Sequence, residues 1–162
     1  MENITISENR LKHIIGVARE CYSLSKEYFN KDDLFAKKMF IIGFNHDVGY
    51  EFTPTAFKHF HGDIGAHLIK NAMGKEANDI SINAIKWHGN PKTPDEYRTL
   101  EWYILNIADM TINSKGQKVT MDDRIEDILK RQGIESKAYK DSIQIKEILE
   151  TFLHNKYLKT SA

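Results

Sequence analysis

Apolar residues recur along this chain at steps of three and four, the period of helices with one buried face. Ser7 is placed to cap a first helix in which Leu11, Ile14, Ile15, Ala18, Cys21 and Leu24 repeat until about Phe29. Asp32 or Asp33 can cap a second, where Leu34, Phe35, Phe40, Ile41 and Phe44 lead up to His46 and Gly49 supplies a stop. Residues 50–57 read as loop. A third helix, about His61 to Met73, carries Ile64, Leu68 and Ala72 on one stripe and ends before Gly74. A short fourth runs from about Asp79 to His88. The sequence TPDE at 93–96 reads as a helix start, with Thr93 as N-cap, Pro94 at the first helical position and Glu96 closing a capping box. The fifth helix then reaches about Ile112. Beyond the turn-like NSKGQKVT at 113–120, Thr120 can cap a sixth helix to about Gln132. The last, about Ser136 to Asn155, has Ile145, Ile148, Leu149 and Phe152 as its apolar side.

Nine glycines and three prolines are few, and they punctuate helices rather than hairpins. The expectation is an all-α bundle of six or seven helices forming one domain over residues 1–162, with the helices of about 120–155 packed on the rest. No repeat, linker or low-complexity segment interrupts it. Lysine plus arginine equals aspartate plus glutamate, 23 against 23, so no global field recruits nucleic acid or an anionic membrane. A single cysteine, Cys21, excludes an internal disulfide framework. No apolar run approaches the roughly 18 residues that would span a bilayer, and no signal segment opens the chain, so a cytoplasmic protein is expected. No sustained heptad seam declares a homodimer, which leaves that state open.

Several polar residues fall on the apolar stripes. His13 lies four residues before Val17 and eight before Cys21, and His46 lies four after Ile42 and seven after Met39, with Asp47 next to it. His88 is four after Ala84, and Asp109 is four after Leu105 and seven after Trp102. His61 shares a face with Ile64, Gly65 and Leu68, whereas His67 lies off that stripe and His154 reads as exposed. A buried histidine taken singly is more often a hydrogen-bonded core residue than a ligand, and an aspartate near a helix end is usually a cap. That explanation has to be invoked separately for each position. One pair of divalent cations would satisfy all of them and neutralise the carboxylates, which otherwise cost several kcal/mol to bury. Nitrogen and oxygen donors suit iron, manganese, cobalt, nickel, zinc or magnesium.

With His13, the adjacent His46–Asp47 and Asp109 in this order, the chain resembles the HD superfamily of metal-dependent phosphohydrolases. The segments RLKHIIGVA (10–18), GFNHDVGY (43–50), HGDIGAHL (61–68), AIKWH (84–88) and ILNIADMT (104–111) carry the resemblance over about residues 7–115. His61 and His88 in addition resemble the two-metal branch, which includes the bacterial HD-type diadenosine tetraphosphate hydrolases. The resemblance implies that His13, His46, Asp47 and Asp109 bind one cation, while Asp47 bridges to a second held by His61 and His88. It further implies hydrolysis of a phosphoester or phosphoanhydride in a small phosphorylated molecule such as a nucleotide, with Asp47 and Arg10 as catalytic residues. Arg10, Lys86, Tyr50 and His59 are the candidate substrate contacts. Two departures stand out. Tyr50 occupies a position where many relatives have lysine, and residues 108–133 lack the basic, proline-rich pattern expected of a diadenosine tetraphosphate hydrolase. Two other readings use the same residues: a di-iron oxygenase, or a non-catalytic nucleotide-binding or regulatory module.

Overall fold

The computed structural model describes residues 6–52, 58, 60–74 and 78–161. Among these the chain forms seven α-helices: α1 (Glu8–Ser23), α2 (Asp33–Asn45), α3 (His61–Met73), α4 (Asp79–Trp87), α5 (Leu100–Thr111), α6 (Met121–Gln132) and α7 (Lys137–Ser161). The all-α expectation holds. Side chains fix most helix starts: Ser7 accepts from the Arg10 amide, Asp32 from Phe35, Asn78 from Ile80, and Thr99 from Trp102. Thr120 and Asp123 cap each other reciprocally at the start of α6. Such caps are worth about 1 kcal/mol each.

The central element is α5, which touches α1, α2, α4, α6 and α7. Its sequence LEWYILNIADMT is apolar nearly all round, as a helix enclosed by neighbours requires. Trp102, Ile104 and Leu105 are completely buried. Each aliphatic side chain buried in this way contributes about 1.5–3 kcal/mol. Asp109, in the last turn of the same helix, is therefore delivered to a fixed place beside the core.

The sequence reading goes astray where apolar residues lie on both sides of a helix. On α2 the buried residues are Ala36, Met39, Ile42 and Gly43, whereas Leu34 (79% exposed), Ile41 (55%), Phe40 and Phe44 face outward. Leu11 and Ala72 are exposed too. TPDE does not open α5, because the Thr93 hydroxyl is turned inward and donates to the carbonyls of Asn90 (2.6 Å) and Trp87 (3.1 Å). Its hydroxyl is oriented to close the turn after α4, and its oxygen accepts from no amide of a following helix. Asp95–Tyr97 forms one 3₁₀ turn, Arg98 leaves helical geometry, and α5 starts only at Leu100. The last part of the first helix, Leu24–Tyr28, winds as a π-turn, and a 3₁₀ turn over Val48–Phe52 takes in the start of the loop expected at 50–57, of which 53–57 lie outside the described residues.

Two glycines set the spacing around the site. A Cβ on Gly49 would lie 1.8 Å from the His61 carbonyl oxygen, and one on Gly62 would lie 2.6 Å from that of Lys86. Only glycine lets the segment after Asp47 reach the start of α3, and lets α3 reach the end of α4. Asp47, His61 and His88 are neighbours because two side chains are missing between them.

Candidate metal centre

The ends of α2 and α4, the start of α3, the middle of α1 and the last turns of α5 meet at one point. Asp47, just beyond α2, is buried in the middle. Its Oδ2 lies 3.4 Å from His46 Nε2 and 3.8 Å from His13 Nε2, while its Oδ1 lies 3.5 Å from His88 Nε2 and 3.6 Å from His61 Nε2. The two oxygens of one carboxylate thus face two different pairs of imidazoles. Asp109 joins the first pair, with Oδ1 at 3.0 Å from His13 Nε2 and 3.6 Å from His46 Nε2. All six expected metal-binding side chains converge here.

The tautomers follow from the backbone. Nδ1 of His13 donates to the Asn113 carbonyl (3.1 Å), His46 Nδ1 to Gly43 (2.6 Å), His61 Nδ1 to Lys58 (2.8 Å) and His88 Nδ1 to Ile85 (2.5 Å). A carbonyl only accepts, so each Nδ1 carries a hydrogen, and in its neutral form each ring turns the lone pair of Nε2 inward. These lone pairs meet acceptors. His61 and His88 bring their Nε2 atoms within 2.9 Å of each other, and His13 Nε2 faces the Asp109 carboxylate. His46 Nε2 is fully buried with no hydrogen-bond partner. A set of inward acceptors with locked orientation is what a divalent cation requires, and nitrogens 2.9 Å apart can both reach one ion at about 2.0–2.1 Å. Within the described residues, His13, His46 and Asp109 form one group that could hold a cation, and His46, Asp47 and His88 another. The residues present therefore fit such ions.

The electrostatics favour positive charge at the same point. Burial would raise the Asp47 carboxyl, but His46, His88, His61 and Arg10 together hold it well below the usual carboxylate range. Burial is likewise outweighed at Asp109, by His13 and His46. His46 is burdened by desolvation yet raised overall by Asp47 and Asp109. At His61 burial and the neighbouring His88 prevail and push the imidazole down to about 4, leaving it neutral at physiological pH. A neutral imidazole at His61 beside ionised carboxylates is a protonation state that metal binding needs, and at His46 a cation would take the place of the proton that Asp47 and Asp109 attract.

The remaining expected residues are distributed unevenly. Arg10 donates to Asp47 Oδ2 at 2.7 Å and lies with its Cζ 4.0 Å from the centre of the Tyr50 ring. Tyr50 stacks on His61 at 4.0 Å between ring centres, and burial and Asp47 hold its phenol above its ordinary value. It remains a neutral donor. Lys86 is exposed and lines the rim of the cavity over the centre. His59 lies outside the described residues. His67 and His154 are exposed, as expected. The sequence reading missed Arg124 of α6, whose Nε donates to the Asp109 carbonyl at 3.2 Å and whose Nη2 lies 3.7 Å from Asp109 Oδ1. It also missed Lys58, which lines the same cavity of about 390 Å³.

An all-helical bundle with a buried histidine–aspartate cluster able to hold divalent cations defines the class. The HD domain family model matches residues 10–114, and the chain belongs to that family, whose general activity is metal-dependent phosphohydrolysis. No curated protein and no solved structure matches the chain, and nothing narrows the likeness to diadenosine tetraphosphate hydrolases.

Proposed function

We propose that the protein hydrolyses a phosphoester or phosphoanhydride bond in a small phosphorylated molecule such as a nucleotide, with two divalent cations at the His/Asp centre. In this reading His13, His46, Asp109 and Asp47 Oδ2 hold one ion, and His61, His88 and Asp47 Oδ1 hold the other. The observation that carries it is the locking of four Nδ1 atoms by four carbonyls, which leaves four Nε2 lone pairs aimed at the two sides of one carboxylate. A structural histidine needs no such orientation.

Cations bound there supply water that ionises near neutral pH and positive charge beside the phosphoryl oxygens. The chain's own groups do the rest. Arg10, already at the Asp47 carboxylate, offers the remaining nitrogens of its planar fork to a phosphoryl oxygen, and stacking on Tyr50 keeps that fork oriented. Tyr50 can donate a hydrogen bond but is a weak acid, so it does not take over the protonating role open to a lysine. Lys86 adds charge at the entrance. In the reaction the water oxygen forms a bond to phosphorus, the P–O bond to the leaving group breaks with its electron pair, and one water proton is released.

The test is metal analysis of protein purified without chelator, followed by a phosphatase screen with nucleotides in Mn²⁺, Fe²⁺, Co²⁺, Ni²⁺ and Mg²⁺. Stoichiometric metal and metal-dependent phosphate release are expected, both lost in Asp47→Asn. A protein that takes up no metal and releases no phosphate with any of these ions would overturn the reading.

A further inference from the structure

The cavity over the centre has a wall that the family match does not include. It is formed by α6 and α7, beyond residue 114, and on α6 it uses Arg124, Ile128 and Arg131, spaced at four and three residues so that they share one helix face. Two guanidinium groups on this face are joined by one acid. Asp127 Oδ2 accepts from Arg124 Nη1 at 3.3 Å and from Arg131 Nε at 3.2 Å, and Arg131 Nη2 lies 3.1 Å from the same oxygen. Asp127 does not line the cavity, whereas both arginines do. One carboxylate holds two cations from behind, and because Asp141 in the same lining is paired with Lys137, the α6–α7 wall keeps a net positive charge toward the cavity.

The position of this pair relates it to the chemistry. Arg124 is almost enclosed (11% side-chain exposure) and is anchored on the Asp109 backbone and near its carboxylate, one residue away from the cation-binding point. Arg131 shares the same Asp127 oxygen and is 44% exposed. A phosphoryl group at the centre would have Arg124 next to it, beside Asp109, and Arg131 about two helical turns further along the same cavity wall. Two guanidinium groups lining one cavity suit the several oxygens of a second phosphate.

Resting on the two-metal hydrolase reading, we infer that the substrate carries a second anionic group next to the scissile phosphoryl, held by Arg124 and Arg131, so that phosphoanhydrides are preferred over simple monoesters. Within the proposed class this selects nucleoside di- and triphosphates or similar compounds. The catalytic floor supplied by residues 10–114 then breaks the bond, and the α6 wall chooses the substrate.

Methylenediphosphonate, which resists hydrolysis, and methylphosphonate, which has one anionic group, are the probes. Each is titrated calorimetrically into the full chain as purified and after Mn²⁺ loading, for the wild type and Arg131→Gln. Because Arg131 is largely exposed, the variant should fold, and a melting curve checks this. Wild-type protein should bind the diphosphonate at least about tenfold more tightly, the scale of charged hydrogen bonds, and Arg131→Gln should remove most of that preference. Cations alone also favour a diphosphonate, so the change on mutation decides. A variant that keeps the wild-type preference overturns the inference, even if phosphate release proves the hydrolase reading correct. An Arg131-dependent preference in a chain that takes up no metal sustains the anion site and overturns the hydrolase reading.

Discussion

On the floor of the cavity each imidazole is held by a backbone carbonyl, whereas on the α6 wall Arg131 is held by a carboxylate on its own helix. His46 and His88 cannot turn without breaking contacts to Gly43 and Ile85, which belong to the helix ends themselves. Arg131 can release Asp127 at little expense, because a partly exposed ion pair is worth about 0–1 kcal/mol. The floor is therefore suited to a fixed reaction geometry and the wall to exchanging a protein carboxylate for a substrate anion. Reaction and selection are placed on different helices and held by bonds of different stiffness.

The sharpest way to break this contrast is at Asp47, which both halves of the floor share. Asp47→Asn should reduce hydrolysis by more than about a hundredfold, since even groups that only support a metal ligand are worth 10–100-fold. Steady-state rates with metal analysis check this, and a loss below tenfold would remove the floor from the chemistry. Next, His88→Ala should lower metal content by about half, as elemental analysis reads it, while circular dichroism shows the helices intact. Unchanged metal content would dissolve the second group of ligands. Gly62→Ala probes the backbone directly: a Cβ 2.6 Å from the Lys86 carbonyl should cost about 1–3 kcal/mol, seen as a lower Tm, with metal affinity falling alongside. For the wall, raising ionic strength should narrow the difference in KM between di- and monophosphate substrates, because exposed charges are screened. The smallest effect is expected far from both regions, where Leu34→Ser should change stability by no more than about 0.5 kcal/mol in a denaturant titration.

The floor was legible in the sequence because its residues violate a pattern. His13, His46, His88 and Asp109 occupy positions on apolar stripes where hydrophobes would otherwise stand, and that conflict singles them out. The wall has no such contrast. MDDRIEDILKRQ looks like a solvated helix, so Arg124 and Arg131 are ordinary members of a charged face until tertiary packing turns that face toward the cavity. The exposed Leu34, Ile41 and Phe44 were misread for the opposite reason: α2 is apolar on two sides, and periodicity alone cannot say which side meets the core. TPDE failed on orientation, since Thr93 turns its hydroxyl to the carbonyls of the turn after α4 and its oxygen accepts from no amide of the helix start. The division of Asp47 between two imidazole pairs came from the resemblance, and the observed distances sort its two oxygens in the same way.

Nearly all of the inward donors sit at helix ends, and this has an effect separate from their side chains. The carbonyl ends of α2 and α4 stop at His46 and His88, and α5 ends two residues after Asp109. Each such end carries a partial negative charge of about half an electron from its aligned peptide dipoles. Three of them aimed at one place supply a field for cations that no side-chain substitution can delete, so neutralising Asp109 would weaken the attraction without extinguishing it. The start of α3, at His61, has the opposite polarity and faces the same cavity. The backbone thus sorts charge by itself, drawing cations to three helix ends and offering a fourth helix, by its amino end, to anions.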